Sequence, residues 1–172
     1  MIGTAQCFAE EFHMNLEINK ITSLSEDQLN MVTQWMYQWW GENEGYSYEA
    51  VKCYVQNGLQ ATRLPQTYGM FLDNQLIGVY PFRLDDLFVR PDLYPWLANV
   101  YLDVPYRNMG YGKRLMESIR SNAQRSLPYD EVYLFTKHTG LYEKYGWELV
   151  SEIDTHLDSG RVQRLYRLSL RK

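Results

Sequence analysis

The segment from residue 100 to 116, VYLDVPYRNMGYGKRLM, joins an apolar stretch to a two-glycine turn and then to a helical pattern of apolar residues. The first N–H groups of such a helix have no partner within it, and the helix dipole is positive at that end. Both features favour a bound anion. A Cβ at Gly110 or Gly112 would keep a phosphate away from the backbone, and Arg107 adds a positive charge. The segment therefore predicts an anion-binding turn.

The spacing around the two glycines excludes two common phosphate-binding loops. A Walker A loop has Ser or Thr after its lysine and a glycine five residues before its second glycine, whereas Lys113 precedes Arg114 and no glycine stands at position 107. A Rossmann fingerprint would have its third glycine where Leu115 stands. A G-x-G pattern by itself is more typical of an ordinary strand-to-helix turn. The turn alone therefore does not identify the ligand.

A second motif gives the turn a context. The pattern R-x-x-G-x-G at 107–112 resembles motif A of the GCN5-related N-acetyltransferase (GNAT) superfamily, and residues 100–102 correspond to the fourth strand of that family. Residues 141–147, LYEKYGW, resemble the second signature of the family, and one helix and one buried strand separate the two motifs, as they do there. The order of predicted elements also matches from residue 15 to the end, so the resemblance covers nearly the whole chain.

The resemblance implies acetyl-CoA as the donor, with its pyrophosphate on the glycine turn and its pantetheine arm beside the fourth strand. It implies that the N–H of Leu102 stabilises the oxyanion and that Tyr142 is the general acid toward the departing sulfur. The implied cofactor contacts are Leu102, Asp103, Val104, Arg107, Asn108, Met109, Gly110, Tyr111, Gly112, Lys113 and Tyr142. No metal is expected, because the three histidines at positions 13, 138 and 156 lack ligand spacing.

The residues that bind the amine and remove its proton are left open by the sequence. Candidates for the general base are Glu42, Glu44, Asp85, Asp86 and His138, although each is also typical of a solvated loop charge. The loop between the first two helices walls the acceptor site in the family. Trp40, Glu42, Glu44 and Tyr46 could therefore hold an amine, with Asp86 and His138 nearby, or could simply pack together. The family often has an Asn after its fifth strand, and residues 136–140 contain none.

The resemblance implies an α/β (α+β) chain with the GNAT fold. We expect a single mixed, mostly antiparallel sheet of about seven strands with helices on both faces, splayed between strands four and five. Residues 1–172 form one domain in this prediction, and residues 1–12 form a peripheral N-terminal arm. The predicted strands are 15–22, 68–72, 76–82, 96–102, 131–136, 147–154 and 162–170. The predicted helices are 25–40, 47–57, one from the glycine turn to about 126, and 139–145. Ser25, with Gln28 in a capping box, and Ser47 are the predicted helix caps, and turns are predicted at 73–74 and 158–160.

Composition and charge narrow the functional classes. The chain has 172 residues and a net charge of −4, which argues against a general nucleic-acid binder. The N-terminal residues lack the pattern of a signal peptide, no segment has the length of a membrane span, and the two cysteines have no zinc spacing. We therefore expect a cytoplasmic protein without a membrane or nucleic-acid partner, and a homodimer is possible through the final strands.

The function predicted from the sequence is acetyl transfer from acetyl-CoA to a primary amine, on a small cationic molecule, by direct attack in a ternary complex. Two alternatives stay open. One is a non-catalytic acyl-CoA-binding sensor or regulatory module. The other is a protein or peptide N-acetyltransferase. The sequence does not name the amine.

Overall fold

Eight strands form one mixed sheet in the computed structural model, which describes residues 14–154 and 162–171. The predicted N-terminal arm at 1–12 and the predicted turn at 158–160 lie outside the described residues. The strands are β1 (Leu16–Ile21), β2 (Gln66–Leu72), β3 (Gln75–Arg83), β4 (Trp96–Leu97), β5 (Tyr101–Leu102), β6 (Glu131–Thr136), β7 (Glu148–Asp154) and β8 (Val162–Ser169). The helices are α1 (Glu26–Met36), α2 (Tyr48–Asn57) and α3 (Tyr111–Ser126).

The sheet has the order β1-β2-β3-β4-β6-β8-β7, and β5 pairs with β3 beside this path. Among the described strands, β4 and β6 pair in parallel at Trp96 and Tyr133, and the other pairs are antiparallel. This confirms the mixed, mostly antiparallel sheet. β7 is an edge strand, whereas β8 lies between β6 and β7, so of the two final strands only β7 has a free edge.

The single strand expected at 96–102 is wrong in one respect, because it is divided into β4 and β5. Asn99 stands between them in the left-handed region, at φ 46°, which interrupts the extended backbone. β4 pairs with both β3 and β6, whereas β5 pairs with β3 alone. This interruption explains why eight strands are found instead of about seven, and it opens the predicted splay next to β6.

Glycine at position 78 lets β5 approach β3 closely. A Cβ built there would lie 2.8 Å from the Tyr101 carbonyl oxygen, which is closer than real Cβ contacts. Successive residues of β3 point to opposite faces of the sheet, so that Val79 and Tyr80 belong to different hydrophobic clusters. The position of β5 is therefore set by backbone packing against β3.

The first two helices begin where their capping residues predict. In α1, the Gln28 N–H donates to Ser25 Oγ at 3.2 Å and the Ser25 N–H donates to Gln28 Oε1 at 3.0 Å, which completes the expected capping box. In α2, the Ala50 N–H donates to Ser47 Oγ at 3.2 Å. The predicted extension of α1 to about Trp40 is wrong in type, because Tyr37–Gly41 form a π-helical turn.

The hydrophobic core has a cluster on each face of the sheet. On one face α1 and α2 pack against β1 and β3, and on the other face α3 packs against β2, β3 and β6. This confirms helices on both faces. Each fully buried aliphatic side chain stabilises the folded state by about 1.5–3 kcal/mol relative to an exposed one. Burial of this kind stabilises the packing of the helices on both faces of the sheet. Among the described residues, no helix is long and apolar enough to cross a membrane.

The helix expected at 139–145 is wrong. The described residues there form one 3-10 turn, Glu143–Tyr145, because Gly140 and Gly146 adopt φ values of 72° and 81° and end the helical backbone on either side. Tyr142 precedes this turn, and its carbonyl accepts from the Trp147 N–H at 3.3 Å. Trp147 is 3% exposed, so it fixes the turn against the core.

Candidate active site

A groove of about 1460 Å³ follows the line where the sheet opens between β5 and β6. One wall is the segment from Leu97 to Leu102, and another is the end of β6 with the residues after it, from Leu134 to His138. The groove reaches Gly112 at the start of α3 and Tyr142 after β6. It therefore joins the two sequence motifs, which are about thirty residues apart in the chain.

The backbone of Leu102 faces this groove. The Asp103 N–H donates to the Ile77 carbonyl at 2.8 Å, and bonded and non-bonded pairs alternate along an antiparallel ladder. Leu102 stands opposite Gly78 in the register, so its N–H and C=O point away from β3. Because β5 has no strand on its other side among the described residues, the Leu102 N–H is open to a ligand.

The glycine turn presents further free N–H groups. Gly110 adopts φ 86° as the N-cap of α3, and the first helical bond runs from the Arg114 N–H to the Gly110 carbonyl at 3.4 Å. The N–H groups that precede Arg114 in the turn therefore have no partner within the helix. A short 3-10 turn at Val104–Tyr106, which the sequence analysis missed, leads into this segment, and Asp103 Oδ1 caps it by accepting from the Val104 N–H at 2.8 Å.

Arg107 has a structural contact as well as a charge. Its Nε donates to the Leu102 carbonyl at 2.8 Å, and its guanidinium lies 5.2 Å from the ring centre of Tyr101. Arg107 thereby connects the turn to the end of β5. The other predicted cofactor contacts that do not line the groove lie on the adjoining surface, exposed or half-buried: Asp103, Val104, Asn108, Met109, Gly110, Tyr111 and Lys113.

Gly112 allows the anion turn to be tested without disturbing the fold. A Cβ at this position meets only Leu102 Cδ2, at an ordinary 3.8 Å, and alanine is favoured in a helix by up to about 1 kcal/mol. The new methyl group would face the groove. We expect Gly112→Ala to weaken CoA binding about 10–100-fold, measured by calorimetry, with no loss of thermal stability.

The matched control for Gly112→Ala is Gly45→Ala. Gly45 has open space around it but adopts φ 79°, so alanine there costs about 1 kcal/mol of backbone strain. The control should lower the melting temperature and leave CoA affinity unchanged. Equal CoA affinity in Gly112→Ala and the wild type would contradict the assignment of the turn.

Tyr142 lies half-buried in the groove. Its ring packs edge-on against Trp147 with centroids 6.0 Å apart and is tilted against Tyr166 at the same separation. Burial raises the pKa of Tyr142 to about 12. The phenol therefore keeps its proton at neutral pH and can donate it.

Most of the predicted acceptor residues line the groove: Trp40, Glu44, Tyr46, Asp86 and His138 do, whereas Glu42 does not. We call the part of the groove around Trp40, Tyr46 and Asp86 the acceptor end, after that prediction. The Trp40 ring makes edge-on contacts with Tyr46 at 5.8 Å and, as the sequence analysis did not foresee, with Tyr54 at 5.4 Å. The structure thus brings aromatic and acidic side chains from the loop after α1 and the loop after β3 to one end of the groove.

Asp86 differs from the other candidate bases of the groove in its exposure to solvent. Glu44, Asp85 and His138 are exposed, whereas Asp86 is half-buried. The pKa of Asp86 is raised to about 6, mainly by burial; the nearby Arg83 lowers this pKa and the like charge of Asp85 raises it by smaller amounts. A carboxylate with this pKa is mostly ionised at pH 7. It can accept a proton from an ammonium, directly or through one water molecule.

Three side chains near Asp86 were missed by the sequence analysis. The guanidinium of Arg83 lies 4.3 Å from the ring centre of Tyr54, and Asn99 Nδ2 donates to the Tyr54 hydroxyl at 2.6 Å. Burial raises the pKa of Tyr54 to about 12. Asn99 had one available signal, because asparagine tolerates the left-handed conformation that interrupts its strand. Nothing in the local sequence indicates that Tyr54 and Arg83 meet.

Among the described residues no cluster of histidine, cysteine and acidic side chains has the arrangement of a metal site. Cys53 is exposed on α2 and does not line the groove.

Comparison with known proteins agrees with these features. The model of the acetyltransferase (GNAT) domain family matches residues 66–149. No curated protein sequence matches the chain. Among solved structures, an aminoglycoside 6'-N-acetyltransferase complexed with coenzyme A has a TM-score of 0.71 and 12% identity, with 91% of this chain and 98% of that chain covered.

The names of two further solved structures refer to other ligands. A spermidine N-acetyltransferase chimera from Vibrio cholerae SpeG and hSSAT has a TM-score of 0.68 and 12% identity, covering 90% of this chain and 95% of that one. Arabidopsis thaliana Naa50 in complex with a bisubstrate analogue has a TM-score of 0.60 and 14% identity, covering 90% and 98%. The family match includes both the glycine turn and Tyr142, and the fold is shared over nine-tenths of the chain. Residues 66–149 therefore form an acetyltransferase (GNAT) domain, and the fold of the chain is that of GNAT acetyltransferases.

Proposed function

We propose that the protein transfers the acetyl group of acetyl-CoA to the primary amine of a small molecule. This molecule is cationic before the reaction, because its amine is protonated. The observation that carries this proposal is the single groove that joins an open strand amide at Leu102, the glycine turn, a protonated Tyr142 and a half-buried Asp86. We propose direct attack within a ternary complex, and among the described residues no cysteine lines the groove.

The residues present fit acetyl-CoA, which supplies the activated acyl thioester when bound. Gly112 leaves space at the turn where a Cβ would face the groove, and the free N–H groups before Arg114 suit a pyrophosphate. The open N–H of Leu102 is a donor toward a carbonyl oxygen that gains negative charge. We assign donor binding to these groups and to the charge of Arg107.

Asp86 is the proposed general base. A primary ammonium has to lose a proton before its nitrogen can attack a carbonyl, and a carboxylate in reach or one water away can take it. Asp86 lies at the acceptor end beside aromatic side chains that hold cations well. Its raised pKa makes it a better base than an ordinary carboxylate.

Tyr142 is the proposed general acid. The phenol lies in the groove with its proton retained, and a departing thiolate needs a proton. The packing of its ring against Trp147 and Tyr166 holds the side chain in a fixed orientation. Acid and base therefore come from different segments that line the groove, the turn after β6 and the loop after β3.

An acceptor panel with acetyl-CoA tests the function directly, with release of the free CoA thiol as the readout. The panel contains alkylamines, polyamines, aminoglycosides, amino acids and a peptide with a free N-terminus. We expect turnover of at least one small amine and a new amide bond in its mass spectrum. Tight CoA binding without turnover of any amine would instead support a non-catalytic acyl-CoA sensor, and turnover of the peptide alone would support a peptide N-acetyltransferase.

A further inference from the structure

A second, smaller cavity of about 130 Å³ lies next to the acceptor end of the groove, between α1, α2 and β3. Tyr54, Arg83 and Asn99 line both the cavity and the groove, so they stand at the junction of the two spaces. Most of the remaining wall is apolar and comprises Val32, Met36, Val55, Pro65, Val79 and Pro81. The other polar side chains on its wall, Asn57 and Thr67, donate to the backbone carbonyls of Cys53 and Gly58.

The three side chains at the junction offer donors. Asn99 uses one amide hydrogen in its bond to the Tyr54 hydroxyl, which leaves its second amide hydrogen and the hydroxyl proton of Tyr54. Burial raises the pKa of Tyr54 to about 12, so that proton is retained at neutral pH. Arg83 uses Nε for a bond to the Asp85 carbonyl at 3.3 Å, and its two terminal nitrogens carry four further N–H groups.

The charge of Arg83 is not matched by an ion pair. No carboxylate oxygen of the described residues is paired with its nitrogens within 4.0 Å, although its charge lowers the pKa of the nearby Asp86. Stacking on Tyr54 fixes the plane of the guanidinium and leaves its edge available. A planar guanidinium with a free edge is suited to bind a carboxylate through two parallel hydrogen bonds.

We propose that Arg83, Tyr54 and Asn99 bind the carboxylate of the acceptor, so that the substrate is an amino acid whose amine lies beside Asp86. This inference rests on the proposed function and narrows its acceptor from a simple cation to a molecule with both charges. A neutral or apolar group at the junction would leave these half-buried donors without partners, which disfavours its binding. Opposite charges of the acceptor would face Asp86 and Arg83, which are close enough to influence each other electrostatically.

Matched acceptor pairs test this inference. The first series contains ω-amino acids from glycine to 6-aminohexanoate and the common α-amino acids, and each is compared with the amine that lacks its carboxylate. For the best acceptor we expect kcat/KM at least 10-fold above that of its decarboxylated partner. Arg83→Gln should abolish this preference, mainly through KM, and Arg83→Lys should restore only part of it because the two-point contact is lost.

The matched control is Arg63→Gln, because Arg63 is exposed and lines neither cavity. It should retain the preference, and CoA affinity should be the same in all variants. Equal turnover of amino acids and their decarboxylated partners would overturn the inference, as would a preference that persists in Arg83→Gln.

A binding measurement separates this inference from the proposed function. Amino acids are titrated calorimetrically into the protein saturated with CoA, with the decarboxylated amines as references. Binding that requires both the carboxylate and Arg83 would support the carboxylate site even without turnover. Turnover of unrelated amines with no amino-acid binding would leave the acetyltransferase proposal intact and reject the carboxylate site.

Discussion

Replacing Asp86 by asparagine is expected to lower kcat/KM about 10²–10⁴-fold at pH 7, the range in which a general base usually contributes. The amide has nearly the shape of the carboxylate and keeps the side chain in its half-buried position, but it cannot accept the proton of the acceptor ammonium. CoA affinity should not change, because Asp86 lies at the acceptor end of the groove. Steady-state assays with a competent amine, together with CoA titration, measure both quantities.

The pH profile identifies the group that is lost. The base has to be ionised, so wild-type kcat/KM should rise as pH increases through about 6, the pKa to which burial raises Asp86. This rise should be absent in Asp86→Asn. Since Asp85 raises that pKa and Arg83 lowers it, Asp85→Asn should move the rise to lower pH and Arg83→Gln should move it to higher pH.

The thermal stability of Asp86→Asn should change in the opposite direction to its activity. The pKa of Asp86 is higher in the folded chain than its ordinary value of 3.8, so folding favours the protonated form and the stabilising contribution is lost as pH rises through about 6. At pH 7 the ionised, half-buried carboxylate costs roughly 1–3 kcal/mol, which a neutral amide avoids. Asp86→Asn should therefore unfold at an equal or higher temperature than the wild type while losing activity.

Asp85→Asn is the matched control, since it removes an exposed acid from the same loop. We expect a loss of less than about 10-fold in kcat/KM, because an exposed charge contributes little beyond weak attraction of the substrate. A variant Asp86→Asn with wild-type activity and an unchanged pH profile would refute the assignment of the base.

Local signals in the sequence were sufficient to predict much of the fold. Ser25 and Ser47 marked the starts of two helices because their side chains accept N–H groups that have no helical partner. The turn at Asp73 and Asn74 was also readable, since both residues adopt the positive φ values that a two-residue hairpin requires. These features depend on neighbours a few residues apart, and so the sequence contains them directly.

The candidate site was less accessible to such reasoning. Asn99 divides a stretch that is otherwise apolar, and its effect appears only in the pairing, because β4 pairs with β3 and β6 whereas β5 pairs with β3 alone. The contact between Tyr54 and Arg83 joins α2 to the end of β3, and neither residue belongs to a motif. Among several acidic loop residues, Asp86 became distinct only through its burial, which is a property of tertiary packing.

A phenylalanine in place of Tyr142 is expected to reduce the rate of acetyl transfer about 100-fold or more, because it removes the donor for the departing sulfur and leaves the ring in place. Tyr142 contacts Trp147 and Tyr166 through its ring, so the loss of the hydroxyl should not weaken this packing. Single-turnover experiments are the suitable measurement, since they report the chemical step without product release.

The pKa of Tyr142 predicts how the activity of the wild type depends on pH above neutrality. Because burial raises that pKa to about 12, the acid stays protonated and should cause no loss of activity between pH 7 and 10. Tyr166→Phe is the matched control, since its ring contacts Tyr142 and its hydroxyl donates to Glu143 at 2.6 Å outside the groove. That control should lose about 1 kcal/mol of stability and keep its rate of acetyl transfer. If Tyr142→Phe kept the wild-type rate with a good acceptor, another group or solvent would have to protonate the thiolate.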